Sequence, residues 1–93
     1  MSAYVVVQAR IKNPDKMTEY GKVAGPTVKA HGGEVVMRAP FEVLAGSTNH
    51  DLMVMLKFPS KKQAVAWYNS SEYQAIIPTR SEAMDATFVV AGD

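Results

Sequence analysis

Three cations fall on one face of the sheet that the sequence predicts, and they are the strongest candidates for chemistry. Alternate residues of a strand point to opposite faces, which groups Arg10 with Tyr4 and places Arg38 and Lys57 on the same side. An arginine can hold a carboxylate in two parallel hydrogen bonds and can stabilise an oxyanion in a dry pocket. We therefore expect Arg10, Arg38 and Tyr4 to line an apolar pocket with a cationic end. Under the alternative, the cations pair at the strand ends with the carboxylates of Glu42, Asp51 or Asp85.

Glu42, His31 and Arg80 could contribute to the same pocket. Glu42 could accept a proton if it is buried, or it could pair with Arg38 or Arg80. His31 titrates near neutrality and could be a general base, but a cation at the end of a helix also interacts favourably with the helix dipole. Arg80 could close over the pocket or join a salt-bridge cluster. These alternatives stay open, and the sequence identifies no catalytic residue.

Aromatic side chains at helical spacing form a second candidate group. Tyr20, Tyr68 and Tyr73 could offer phenolic donors to a pocket, or they could be core residues with the hydroxyl at the edge. Trp67 is interpreted as a core anchor, and His50, beside a turn, as exposed to solvent.

The elements that would position these residues follow the order β-α-β-β-α-β. Alternating, β-branched segments predict strands at residues 3–11, 34–39, 52–58 and 85–91, with residues 41–44 continuing the second strand beyond Pro40. A first helix starts at Asn13-Pro14-Asp15 and ends at Gly32-Gly33, and Gly25-Pro26 should kink or split it. A second helical region starts at Ser60, a short helix follows at Ser71, and Pro78 should kink or end it.

This order predicts an α+β, ferredoxin-like fold in one domain (residues 1–93), with a four-stranded antiparallel sheet and the helices on one face. The face without helices would still be apolar, because it carries Tyr4, Val6, Val36, Met53, Met55 and Val89. Leaving several such side chains in water would cost on the order of 10 kcal/mol. We therefore expect a homodimer that joins two sheet faces into a dimeric α/β barrel. A wrong strand register, or a C-terminus folded over the sheet, would remove this expectation.

Composition excludes several classes of protein. The chain has 93 residues, a formal charge of +1 and no cysteine, which argues against nucleic-acid binding, a disulfide framework and thiolate metal sites. No phosphate-binding or dinucleotide-binding glycine motif, no His-x-x-x-His pair and no compact carboxylate cluster occurs, so we expect no cofactor and no metal. Apolar runs are too short for a membrane span, and the N-terminus is unlike a signal peptide, so we expect a cytoplasmic protein.

Several blocks carry a family resemblance, namely residues 32–38 (GGEVVMR), 41–46 (FEVLAG), 58–60 (FPS) and 66–74 (AWYNSSEYQ), together with Arg80 and residues 87–92. In these the chain resembles the "thirteen-thirty" domain-of-unknown-function family. The resemblance implies a dimeric α/β barrel of the ferredoxin-like superfamily, with no established reaction. Ala45 stands where that family usually has a glutamate, so any task of that carboxylate is lost here or moved to Glu42.

Three functions are compatible with these observations. The first is a dimer that binds a small organic molecule in the barrel interior, and the cationic end of the pocket would suit an anionic one. The second is a cofactor-independent oxygenase or isomerase acting on an acidic carbon, which needs a positioned base beside a stabilised oxyanion. The third is an interaction module with a filled interior. A cavity lined by a base beside an arginine favours the enzyme, and a cavity without a base favours binding.

Overall fold

The computed structural model describes residues 2–93. The strands are β1 (Ala3–Ile11), β2 (Glu34–Pro40), β3 (Leu52–Phe58) and β4 (Met84–Gly92), and the helices are α1 (Pro14–Ala30), α2 (Lys61–Tyr68), α3 (Ser71–Gln74) and α4 (Ile77–Ala83). The strands form one antiparallel sheet in the order β2-β3-β1-β4. This is the predicted α+β, ferredoxin-like arrangement, and the prediction is confirmed.

The core lies between the helices and one face of the sheet. The inward residues of β1, Val5, Val7 and Ala9, are buried together with Leu56 and Phe58 of β3. Alternation along β1 is strict, because Tyr4, Val6, Gln8 and Arg10 between them are exposed or half-buried. The largest fully buried side chains are those of Phe58, Trp67 and Tyr73.

Helix α1 runs without a break through Pro26, so the predicted split does not occur. Pro26 lacks the amide that would bond one turn back, but the helix on both sides of it is held by buried residues, among them Tyr20, Ala24 and Val28. The backbone amide of Lys16 donates to the side-chain oxygen of Asn13, and Asn13 thereby caps the start of the helix.

Two glycines end α1 as the sequence predicts. Gly32 has a φ of +79°, and the amides of Gly32 and Gly33 donate to the carbonyls of Lys29 and Val28. Gly32 thus supplies the left-handed residue that this helix ending requires. A Cβ on Gly33 would lie 2.6 Å from the Phe58 ring, so that position allows no side chain without movement.

Two further segments differ from the prediction. Residues 41–51 form a loop between β2 and β3 and do not continue the strand. The short helix from Ser71 ends at Gln74, before Pro78, and Pro78 lies in the first turn of a new helix, α4, where a missing amide costs nothing.

A bulge in β2 changes which side chains face the helices. Val35 pairs with Leu56 of β3, but Met37 pairs with Met55, so Val36 is an extra residue without a partner. A bulge shifts the alternation by one residue. Arg38 consequently pairs with Val54, an inward position, and its predicted place on the face without helices is wrong.

The sheet face without helices, here called the open face, has no covering layer in one chain, and the sheet is not closed into a barrel. Its residues include Tyr4, Val6, Gln8, Arg10, Met53, Met55, Lys57 and Val89. The C-terminal segment is itself the edge strand β4, so it does not fold over this face. Within residues 2–93, no helix has both the length and the apolar character to cross a membrane.

Candidate functional site

A cavity of about 520 Å³ lies between α1 and the inward face of the sheet. This size is typical of small-molecule sites, which span roughly 300–1,000 Å³. The cavity is on the helix side of the sheet, opposite the side where a barrel interior was expected. Residues of α1, of all four strands and of α2 line it.

The inner part of the cavity is apolar and buried. Its walls include Val7, Ala9, Ala24, Val28, Leu56, Trp67 and Met84, all buried, with the half-buried Met17, Val54 and Phe88 beside them. Methionine side chains are flexible and fill irregular space, so Met17 and Met84 can adapt to an occupant.

The outer part of the cavity is an exposed rim built from two elements. Helix α1 contributes Thr18, Gly21, Lys22 and Gly25, and β2 contributes Val35 and Arg38. Strand β2 is an edge strand, so the cavity opens between α1 and that edge of the sheet. The charged residues of the lining are Lys22 and Arg38, both cationic, and the lining includes no carboxylate and no imidazole.

Two glycines, Gly21 and Gly25, leave the α1 side of the rim without side chains at these positions. A Cβ on Gly21 or on Gly25 would meet no atom within 4 Å, so close packing does not require glycine at either position. Glycine inside a helix costs about 0.5–1 kcal/mol relative to alanine. The two residues lower the helix propensity of α1 and leave open space beside the cavity.

Behind the cavity wall, tyrosine hydroxyls and an arginine form a hydrogen-bonded cluster. The Tyr20 and Tyr73 hydroxyl oxygens are 2.7 Å apart, and Arg80 Nη1 donates to the hydroxyls of Tyr73 and Tyr68, each at 3.1 Å. The Arg80 guanidinium also lies 4.7 Å from the ring centre of Phe88, a cation–π distance. Of these residues, Tyr20 and Phe88 reach the cavity lining.

Burial controls the protonation of this cluster. Removal from water raises the pKa of Tyr20 well above its usual value, and the neighbouring Tyr73 adds to the effect. Burial also raises the pKa of Tyr73, against the opposing hydrogen bonds from Tyr20 and Arg80. For Arg80, burial lowers the pKa but the hydrogen bonds to Tyr73 and Tyr68 outweigh it, so the pKa is raised. The two phenols are therefore neutral hydrogen-bonding groups, and the guanidinium is charged.

The only tryptophan of the chain, Trp67, lines the cavity and its indole nitrogen is satisfied. Trp67 Nε1 donates to Thr27 Oγ1 at 3.0 Å, and Thr27 Oγ1 donates to the Ala24 carbonyl at 2.7 Å. This chain of hydrogen bonds ties α2 to α1 beside the cavity and leaves no free indole donor.

Of the six predicted ligand residues, the cavity lining includes only Arg38. Tyr4 and Arg10 lie on the open face, as predicted. Arg10 Nη2 is 3.6 Å from Asp85 Oδ2, which is one of the pairings predicted under the alternative. His50 Nε2 is 3.9 Å from the same oxygen, and its side chain is only 10% exposed, so the expectation of an exposed His50 is wrong.

The other three predicted residues are spread over the molecule. His31 is the C-cap of α1, and its Nε2 lies 3.6 Å from Glu72 Oε2, an ion pair when the imidazole is protonated. Glu42 is exposed in the loop after β2, which does not support a buried proton acceptor. Arg80 bonds to tyrosines; no carboxylate of residues 2–93 forms a salt bridge with it.

Sequence reasoning missed Lys22 and the glycines of the rim. Their signal was present, because Thr18, Gly21, Lys22 and Gly25 recur at helical spacing along one flank of α1. The bulge at Val36 had no comparable signal in the run of β-branched and apolar residues.

Comparison with known structures shows the same fold. A protein of unknown function from Rhodopseudomonas palustris is 22% identical, with 99% of this chain and 82% of that chain covered at a TM-score of 0.78. A dimeric ferredoxin-like protein of unknown function from Jannaschia sp. CCS1 is 11% identical, with both chains covered completely at 0.74. The cofactor-independent oxygenase SnoaB from Streptomyces nogalater is 4% identical, with 99% of this chain and 92% of that chain covered at 0.72.

The search of curated proteins found no match. The family comparison did find one: residues 2–92, nearly the whole chain, match the family described as Domain of unknown function (DUF1330). The resemblance seen in the glycine, tryptophan and tyrosine blocks of the sequence is confirmed, and the chain belongs to this family.

Proposed function

We propose that the protein binds a small, largely apolar organic molecule in the cavity between α1 and the sheet. The observation that carries the proposal is the cavity itself, about 520 Å³ in volume with a buried apolar inner part. Apolar side chains line the inner part of this cavity, and a bound apolar molecule would make packing contacts with them.

The lining supports binding over acid–base catalysis. Proton abstraction from an acidic carbon needs a base within hydrogen-bonding distance of the substrate. The lining of the cavity offers no carboxylate or imidazole, and Tyr20 is a phenol whose pKa is raised by burial. The similarity to SnoaB is one of fold, and it supplies no base to this cavity.

A pair of substitutions at Gly21 tests the proposal. Gly21→Leu places a side chain in space that is empty in the structure, while Gly21→Ala improves the helix and adds only one methyl group. The probe is 1-octanol, followed by isothermal titration calorimetry and by the fluorescence of Trp67, which lines the cavity. We expect wild type and Gly21→Ala to bind octanol and Gly21→Leu to bind it at least tenfold more weakly.

The folded state of both variants is checked by urea unfolding, in which neither should be less stable than wild type. Absence of octanol binding by the wild type would refute the proposal. Unchanged binding by a folded Gly21→Leu variant would place the ligand elsewhere.

We further propose that two copies of the chain associate through their open faces. Val89 is 53% exposed there and Met37 is 40% exposed, beside the half-buried Val6 and Met55. An apolar surface of this kind in a protein of this size usually marks a partner surface. A second copy related by a two-fold axis is a self-complementary occupant, and the protein from Jannaschia sp. CCS1 is described as dimeric.

Two valines of similar exposure provide the test. Val89 lies on the open face, whereas Val23, 45% exposed, lies on α1. We expect sedimentation velocity to show a dimer for the wild type and for Val23→Asp, and a monomer for Val89→Asp. A monomeric wild type at micromolar concentration, or a dimeric Val89→Asp variant, would contradict this interface.

A further inference from the structure

We infer that the ligand is an amphipathic monoanion, with an apolar tail inside the cavity and one negatively charged group at the rim between Lys22 and Arg38. This inference rests on the proposed function and adds the chemical class of the ligand.

The interior of the cavity offers little to a polar group. The Tyr20 hydroxyl is engaged with Tyr73 at 2.7 Å, and the indole nitrogen of Trp67 is engaged with Thr27 at 3.0 Å. A polar group buried without a hydrogen-bond partner costs about 1–3 kcal/mol. A ligand with a polar end therefore keeps that end out of the inner part, at the rim.

The rim selects the sign of that charge. Lys22 projects from α1 and Arg38 from β2, so the two cations come from elements on either side of the opening. Neither forms a salt bridge with a carboxylate anywhere in the described chain, residues 2–93. Two cations without counter-charges at one apolar opening attract an anion and repel a cation.

The bulge at Val36 is the structural reason that Arg38 takes part. With regular alternation Arg38 would face the open side of the sheet, together with Tyr4 and Arg10. The extra residue turns it to the inward side, opposite Val54, where it reaches the rim of the cavity. Irregularities of this kind often re-aim a side chain at a binding site.

The test compares octanoate with 1-octanol, which share the apolar tail and differ in the charge of the end group. Binding is measured by calorimetry at low ionic strength for wild type, Arg38→Met and Lys22→Met. Methionine keeps an unbranched apolar stem while it removes the charge. Lys29→Met is the control, because Lys29 is an exposed cation on the same helix that does not line the cavity.

We expect wild type and Lys29→Met to bind octanoate about tenfold more tightly than octanol, the size of one good charge-assisted contact. Arg38→Met and Lys22→Met should each reduce this preference to about threefold or less.

Equal affinity of the wild type for octanoate and octanol would overturn the inference, and so would an unchanged preference for octanoate in both rim variants. In either case octanol binding by the wild type would still support the cavity as the binding site. Failure of the wild type to bind either probe would instead refute the proposed function, and the inference with it.

Discussion

The two buried tyrosines should differ in their contribution to stability, although their hydroxyls bond to each other. The Tyr20 hydroxyl has Tyr73 as its partner, whereas the Tyr73 hydroxyl has both Tyr20 and Arg80. Removing the Tyr20 oxygen leaves Tyr73 with one partner. Removing the Tyr73 oxygen leaves the Tyr20 hydroxyl with no partner in a residue that is only 7% exposed.

The magnitudes follow from this asymmetry. Loss of one hydrogen bond whose other partner is still satisfied costs about 1 kcal/mol. Tyr73→Phe loses two hydrogen bonds, and of the two partners only Arg80 keeps another bond while the buried Tyr20 hydroxyl keeps none, so we expect a loss of about 2–3 kcal/mol. For a domain of this size, these losses correspond to Tm decreases of roughly 4–8 °C for Tyr20→Phe and roughly twice that for Tyr73→Phe.

The assay is equilibrium unfolding in urea, followed by the fluorescence of the single tryptophan, Trp67. The double variant Tyr20→Phe/Tyr73→Phe provides the sharper measurement, because it removes both hydroxyls and so leaves no buried tyrosine hydroxyl without a hydrogen-bond partner. It should be no less stable than Tyr73→Phe alone, so the two changes are not additive. Equal losses in the two single variants, or a double variant whose loss is their sum, would refute this reading of the cluster.

Three further predictions concern pH, packing and the indole hydrogen bond. Burial raises the pKa of Tyr20 and Tyr73, so the stability they confer is complete below about pH 10 and is lost as the pH rises through their folded-state pKa values. Urea unfolding at a series of pH values should therefore show a free energy of unfolding that declines above about pH 10. The decline should be shallower in Tyr20→Phe. Gly33→Ala should destabilise by about 1–3 kcal/mol in the same assay, because its Cβ would lie 2.6 Å from the Phe58 ring, whereas Gly21→Ala should not destabilise. Thr27→Val should lower the free energy of unfolding by about 1–3 kcal/mol, since it leaves the buried Trp67 Nε1 without a hydrogen-bond acceptor. Thr27→Ser keeps the hydroxyl oxygen and should cost less than Thr27→Val. Equal stability of the two variants would argue against the hydrogen bond between Trp67 and Thr27.

The sequence by itself determined the order of the elements and most of their ends. Period-two alternation located β1, β3 and β4, and the Asn13, Ser60 and Gly32-Gly33 signals marked helix ends, because these depend on side chains near in sequence. The element order then sufficed for the ferredoxin-like fold, and family-specific blocks sufficed for the family.

Tertiary structure decided where the cavity lies and which residues reach it. The face of Arg38 depends on one extra residue in β2, and whether Val36 is accommodated as a bulge is settled by pairing with β3, a partner distant in sequence. The helical character of residues 77–83 likewise depends on packing, because α4 lies against α1 and its Ala83 is buried. Arg80 thereby meets three aromatic rings brought together from α2, α3 and β4.

The rim of the cavity shows the division most clearly. Lys22 and Arg38 are each ordinary surface cations within their own segments, and no local pattern relates a residue of α1 to one of β2. They line one opening because the turn at Gly32-Gly33 folds β2 back along α1 and the sheet holds α1 above it. Local interactions specify helices and strands, but a site built from one helix and one strand forms only when folding brings the two together.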